Sequence, residues 1–146
     1  MNRFHRLLRL QFKLHRQGGV ICNRLAHYIN SYINFRYHCD IPNSIDPTDL
    51  FFCHNGLNIV INPNTKIGAK TYIQHGVTIG VRDDIKSCKA PVIGNGCYIG
   101  AKATIIGDIR IGDNCKIGAG ALVISDIPSG CTAVGIPAKI VNKRHQ

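Results

Sequence analysis

Residues 93–123 read I-G-N-G-C-Y-I-G-A-K-A-T-I-I-G-D-I-R-I-G-D-N-C-K-I-G-A-G-A-L-V. An aliphatic residue falls at every sixth position: Ile93, Ile99, Ile105, Ile111, Ile117 and Val123. Toward the N-terminus the same period holds at Ile61, Ile67, Ile73 and Ile79, and Gly follows at Gly68, Gly80, Gly94, Gly100, Gly112 and Gly118. Four residues after the aliphatic slots stand Thr65, Thr71, Val77, Cys97, Ala103, Ile109, Cys115 and Ala121. A period of six is neither the 3.6 of an amphipathic helix nor the alternation of an ordinary strand. It fits short strands joined by tight turns, three to a coil, with the aliphatic residue inward, the small residue in a corner and Gly easing the turn. Successive coils then pair as parallel strands about 4.8 Å apart. The expected fold is mainly β, a parallel β-helix of six-residue repeats. Cys97 and Cys115 occupy the small inward slots and read as core filler.

The register breaks once. Between Ile79 and Ile93 the spacing is fourteen, so about eight residues leave the coil within V-R-D-D-I-K-S-C-K-A-P, residues 81–91. A polar, charged excursion from a repeat array tends to sit on the binding face, which makes loop 81–91 a candidate border of the active site; the alternative is a passive surface loop.

Residues 1–38 lack the six-residue period. Arg3, Arg6, Arg9, Lys13 and Arg16 form one basic stripe at helical spacing, with Phe4, Leu7, Leu8 and Leu14 elsewhere on the wheel. Gly18-Gly19 interrupts, and a second helix is expected from Val20 to Tyr37, presenting Leu25, Ile29, Tyr32 and Ile33 for packing. This short α-helical arm, 1–38, reads as a cap on the open end of the coil or as a basic amphipathic surface for anionic lipid, and both roles are compatible. Residues 39–146 form the repeat domain with its C-terminal tail, and 39–60 read as irregular first coils.

At 146 residues one domain with a real core is expected. Lys and Arg total 18 against eight acids, all of them Asp. The first 39 residues hold seven basic residues and no acid, so an anionic partner is favoured: a lipid surface, a phosphorylated carrier or a polyanionic cofactor. Seven scattered cysteines without a C-x-x-C pair argue against a disulfide framework or a thiolate zinc site. No apolar run reaches membrane-spanning length, and the N-terminus lacks the apolar core of a secretory signal. The expected location is cytoplasmic, with peripheral contact at the inner face of the membrane. No nucleic-acid partner is expected.

The stretch C-H-N-G-L-N-I-V-I-N-P-N-T-K-I-G, followed by Y-I-Q-H-G-V-T-I-G, resembles the catalytic half of serine O-acetyltransferases. It is closer still to the serine-acetyltransferase-like enzymes that decorate capsular and O-antigen sugars. The tail I-G-A-G-A-L-V-I-S-D-I-P-S-G-C-T-A-V-G-I-P-A-K-I-V is similar to the ending shared by hexapeptide-repeat acyltransferases. The resemblance spans about residues 40–142 and implies a left-handed coil, acetyl-CoA as co-substrate, a hydroxyl-bearing acceptor and a homotrimer.

The resemblance also implies roles. His54 stands where the family has its catalytic histidine: an imidazole, titrating near neutral pH, takes the proton of the attacking alcohol and returns it to the CoA thiolate. Asp40, in D-I-P, best matches the Asp that orients that base; Asp46 and Asp49 remain alternatives. His75, one coil on, reads as substrate-contacting or as tuning His54, against a plain surface position. Pantetheine would run along the backbone at Gly80, Ala101 and Ala119, with Tyr98 where relatives carry an aromatic, Lys139 near the CoA phosphates and Ser125 within reach of the cofactor.

Departures from the serine enzymes bear on the acceptor. Cys53 precedes His54 where they carry Asp, and Lys89-Ala90-Pro91 replaces their R-H-P. The arm is short, and the tail ends K-R-H-Q without the terminal Ile that docks into cysteine synthase, so no such complex is expected. A sugar hydroxyl is therefore expected as acceptor, ahead of serine. Three other readings are weaker. A Cys53 thiol nucleophile would need its sequence neighbour as base. A γ-class carbonic anhydrase needs three zinc-binding histidines where the repeat region has His54 and His75, so no metal is expected. A structural or ice-binding coil would lack the loop and the CoA-type tail.

Overall fold

The computed structural model describes residues 3–82 and 89–143. Two helices come first, α1 (Arg3–Gln17) and α2 (Val20–Tyr37). Gly18 and Gly19, at φ 71° and 84°, turn the chain between them. The second helix ends at His38 in the left-handed conformation, whose N–H returns to the Asn34 carbonyl.

The first helix buries Phe4, Leu8 and Gln11, so its basic stripe faces away from the core. In α2 the expected packing face is only partly right. Ala26 and Ile33 are buried and Ile29 packs against the core, but Leu25 and Tyr32 are exposed. The helix carries apolar residues on two opposite faces, and polar contacts accompany the one that turns inward. Gln11 Nε2 donates to Asn30 Oδ1 at 3.1 Å and also to Asn43 Oδ1 in the first coil, drawing in the face shared by Ala26, Asn30 and Ile33.

Thirteen short strands follow among the described residues: β1 (Phe51–Phe52), β2 (Val60–Ile61), β3 (Lys66–Ile67), β4 (Tyr72–Ile73), β5 (Thr78–Gly80), β6 (Val92–Ile93), β7 (Tyr98–Ile99), β8 (Thr104–Ile106), β9 (Arg110–Ile111), β10 (Lys116–Ile117), β11 (Leu122–Val123), β12 (Cys131–Val134) and β13 (Lys139–Lys143). They form three sheets: sheet I with order β1-β4-β7-β10-β12-β13, sheet II with β11-β8-β5-β2, and sheet III with β3-β6-β9. The chain visits I, II and III in turn and returns to I, and every pairing except β12 with β13 is parallel.

The six-residue period now has its cause. Ile73, Ile99 and Ile117 stack in sheet I, Ile61, Ile79, Ile105 and Val123 in sheet II, and Ile67, Ile93 and Ile111 in sheet III. All but Ile67 are buried, each contributing roughly 1.5–3 kcal/mol of apolar burial. Thr71, Cys97, Cys115 and Cys131 fill one inner corner. The Cys97 and Cys115 thiols donate to the Gly112 and Pro128 carbonyls, each at 3.1 Å. Burial pushes the Cys97 thiol up to about 11 and raises Cys115 as well.

Coil length is not uniform. Tyr98 pairs with Lys116 eighteen residues on, but Tyr72 pairs with Tyr98 after 26 and Phe51 with Tyr72 after 21. The eight-residue excess is the excursion between β5 and β6, of which residues 83–88 lie outside the described residues. Among the described residues no helix is long and apolar enough to cross a membrane.

Candidate active site

The three-residue excess of the first coil falls in the turn between β1 and β2. On this edge, where sheet I passes to sheet II, the later turns take six residues from strand start to strand start, as from Tyr72 to Thr78, whereas Phe51 to Val60 takes nine. The extra length is a 3-10 turn over Cys53–Gly56 with His54 at φ 51° and Asn55 at φ 56°, followed by Gly56 at φ 66°. Such a left-handed run is costly for most side chains and cheapest for Asn and Gly. It leaves the His54 side chain exposed at the edge.

The N-terminal cap supports this turn. A Cβ at Gly56 would lie 2.1 Å from Phe4 Cζ, so glycine is required by the packed ring as well as by its own φ. Phe4 meets Phe52 and Tyr37 edge-on, and the Phe52 N–H donates to His5 Nε2 at 3.2 Å. Burial, followed by the nearby Arg9 cation, lowers the His5 pKa and keeps that acceptor neutral.

His75 occupies the same edge one coil on. Its ring lies edge-to-face with that of His54, centroids 4.8 Å apart and planes at 80°. Its Nδ1 is buried without a hydrogen-bond partner, an unmet polar atom beside the His54 imidazole. Gln74 Nε2 donates to Cys53 Sγ at 3.1 Å and so ties the two turns together. The sequence reading did not single out Gln74, and no local pattern marks it.

Below the histidines this edge differs from the edge between sheets III and I. There each turn N–H is capped by a side chain of the next coil: Ala69 N–H by Asn95 Oδ1 at 2.9 Å, Asn95 N–H by Asp113 Oδ1 at 2.6 Å and Asp113 N–H by Ser129 Oγ at 3.0 Å. The equivalent residues on the I/II edge are His75, Ala101 and Ala119. The equivalence follows from the carbonyls: His75 and Ala101 accept from Lys102 and Gly120 just as Asn95 and Asp113 accept from Asn114 and Gly130. Alanine has no oxygen to offer the coil before it, and among the described residues no hydrogen bond takes the Ala101 or Ala119 N–H. A line of unclaimed backbone donors thus runs down this edge from the two imidazoles.

Over 137 aligned residues the chain is 35% identical to the serine acetyltransferase of Helicobacter pylori strain J99, covering 86% of this chain and 80% of that protein. The chain belongs to the serine acetyltransferase family of acyltransferases. The model for the bacterial transferase hexapeptide, six repeats, matches residues 90–125. The Escherichia coli K12 protein assigned to colanic acid biosynthesis as the acetyltransferase WcaB is 43% identical over 91 residues, covering 62% of this chain and 55% of that one. Among solved structures, Neisseria gonorrhoeae serine acetyltransferase superposes with a TM-score of 0.81 at 32% identity, covering 98% of this chain. Brucella abortus serine acetyltransferase in complex with coenzyme A gives 0.81 at 29% identity over 96% of this chain. The chain spans about half the length of these solved relatives, 54% and 55%.

The other residues singled out in this family member have the following places. Asp40 bridges Val60 as a parallel partner, its N–H on the Ile59 carbonyl, and no hydrogen bond joins it to His54 among the described residues. Asp46 Oδ1 accepts the Thr48 N–H, and the Asp49 carbonyl accepts the Lys70 N–H. Gly80 ends β5 on the edge from sheet II to sheet III, with open space where a Cβ would be. Ser125 follows β11 at that edge, exposed. Lys89, at the return of the excursion, pairs with Asp108 at 3.4 Å. Lys139 opens β13 opposite Val134. Tyr98 points outward from sheet I in register with Tyr72 above it, and Tyr72 stacks on Phe51 at 4.5 Å. The three exposed rings form an aromatic column of which the sequence reading had named only Tyr98. Among the described residues no group of three or more His, Cys, Asp or Glu is arranged to hold a metal.

Proposed function

We propose that the chain is an acetyl-CoA-dependent O-acetyltransferase acting on a sugar hydroxyl of a capsule, O-antigen or exopolysaccharide, on a closed left-handed coil assembled as a homotrimer. The observation that carries this reading is the exposed His54, set against His75 at the head of an edge whose Ala101 and Ala119 N–H groups are unclaimed. Those donors suit the amides of a pantetheine arm, and the alanine side chains let it approach the backbone.

In the proposed reaction His54 takes the proton of the acceptor hydroxyl as its oxygen attacks the thioester carbonyl. The tetrahedral intermediate collapses with cleavage of the C–S bond, giving the acetyl ester, and the proton passes from His54 to the departing thiolate. Backbone N–H groups beside the imidazoles, other than those of Ala101 and Ala119, stabilise the oxyanion. His75 contacts the acceptor, whose polar groups meet its unpartnered Nδ1. Asp40 orients the base, with Asp46 and Asp49 as alternatives. Gly80, Tyr98, Ser125 and Lys139 serve the remainder of the cofactor, and Cys53 and Lys89 border the acceptor. The trimer is proposed from the resemblance to hexapeptide-repeat acyltransferases, whose CoA sites form between subunits.

The sugar acceptor is supported by Cys53 and Lys89-Ala90-Pro91, which replace the residues matched in serine enzymes, and by the similarity to WcaB. Serine is the second reading, favoured by the longer match to the Helicobacter pylori enzyme. The test is acetyl-CoA turnover with serine and with a panel of glycans, products weighed by mass spectrometry. His54→Ala is expected to lower kcat by about 10²–10⁴ with cofactor binding retained. Unchanged turnover would remove His54 from the chemistry, and serine as the acetylated product would reverse the order of acceptors.

A further inference from the structure

We infer that the outward face of α2 is a docking surface for an anionic lipid bilayer. Ile21, Leu25, Tyr28, Tyr32 and Phe35 are 83%, 48%, 73%, 40% and 81% exposed. They recur at spacings of four and three and so make one continuous stripe along four turns, while Ala26 and Ile33 hold the opposite face to the core. An apolar face of this length left to water is unusual for a soluble surface.

The surroundings of the stripe identify its occupant. Arg24 and Arg36 flank it on either side of the wheel, and the Arg3 guanidinium lies 5.8 Å from the centre of the Tyr32 ring. Residues 3–37 hold seven Lys or Arg and no acid. A second copy of this helix pair would bring the same positive charge to the seam and nothing to neutralise it. Three of the five stripe residues are aromatic, where a two-stranded seam favours Leu and β-branched residues. Tyrosine and phenylalanine among arginines match the interfacial zone of a bilayer, and the charge matches anionic headgroups. The first helix spends Phe4 and Leu8 on the core and leaves Leu10 as its exposed large apolar side chain, so it offers a membrane chiefly charge. The inserting face therefore belongs to α2. This inference stands apart from the transfer chemistry.

The experiment is flotation of the full chain with phosphatidylcholine vesicles, with and without phosphatidylglycerol, across a salt series. Binding to the anionic vesicles is expected to exceed that to the neutral ones by about tenfold or more and to weaken with salt. Tyr28→Ser with Phe35→Ser is expected to abolish binding while leaving the melting curve intact, because both side chains are exposed. Arg24→Gln with Arg36→Gln should cut the anionic preference and spare the fold. Equal binding to both vesicle types, or retention by the Tyr28/Phe35 variant, would overturn the inference. So would a wild-type chain that ignores vesicles and assembles through the stripe, shown by a lower mass for that variant in sedimentation.

Discussion

Replacing Ala119 by Ser should cap the unclaimed Ala101 N–H with the molecule's own chemistry. On the edge between sheets III and I, Ser129 Oγ caps the Asp113 N–H at 3.0 Å and Asp113 Oδ1 caps the Asn95 N–H at 2.6 Å. Ala119 stands eighteen residues after Ala101, as Asp113 stands after Asn95. A hydroxyl at 119 is thus placed to take the Ala101 N–H. One added internal hydrogen bond contributes about 0.5–1.5 kcal/mol of stability. The same free energy lost from a bound pantetheine weakens acetyl-CoA by roughly two- to tenfold. Urea unfolding and steady-state kinetics give the two readouts. The expected result is a higher unfolding midpoint, a KM for acetyl-CoA raised in that range and kcat nearly unchanged. A stabilised variant with unaltered KM would mean that the Ala101 N–H does not serve the cofactor. A KM that rises without stabilisation would mean that the two edges are not equivalent.

Gly56→Ala combines a left-handed backbone with a Cβ driven into Phe4, together about 2–5 kcal/mol. Adding Phe4→Leu removes the ring atoms concerned, so a double-mutant cycle by urea unfolding should show coupling of about 1–3 kcal/mol; simple additivity would contradict the packing described. His5 has a lowered pKa in the folded state, so its stabilising contribution is complete above the ordinary value of 6.5 and is lost as pH falls from there through the lowered value. Protection factors of the α1 amides, corrected for the intrinsic pH dependence of exchange, should accordingly fall on acidification, and His5→Phe should flatten that dependence. Iodoacetamide with peptide mapping should modify the half-buried Cys22 and Cys53 first. Cys39, its thiol pushed up to about 12, and Cys97, pushed up to about 11, should react only after denaturant, and early labelling of either would contradict their burial.

The stacked coils were legible because their cause is local: each six-residue unit turns one corner, and its Ile or Val meets the like residue of the next coil. The eight-residue excursion was legible for the same reason, as an interruption of the count. The turn at His54 was half legible. The 21 residues from His54 to His75, against an 18-residue coil, already set the two imidazoles about one coil apart on one edge. The left-handed 3-10 form of the turn that absorbs the excess appears only in the folded chain. Asp40 was legible only as a resemblance, because the irregular first coil gives no period to count along; the fold shows its backbone paired beside Val60. In α2 the hydrophobic pattern could not choose between two apolar faces; a hydrogen bond from Gln11 on another helix did. The unclaimed N–H groups were hidden in the plainest residues, since Ala101 and Ala119 gain meaning only beside Asn95 and Asp113.

The last strand carries a consequence for assembly. A stack of parallel coils is an open-ended template: its terminal coil presents the same unpaired edge as every coil before it, ready to accept another chain. In this molecule β13 reverses direction within the four residues after Val134 and lies antiparallel on β12. A strand running the opposite way cannot be followed by another turn of the same winding. The chain thus writes its own stop signal on sheet I at that end, against growth of a fibre along the stack axis.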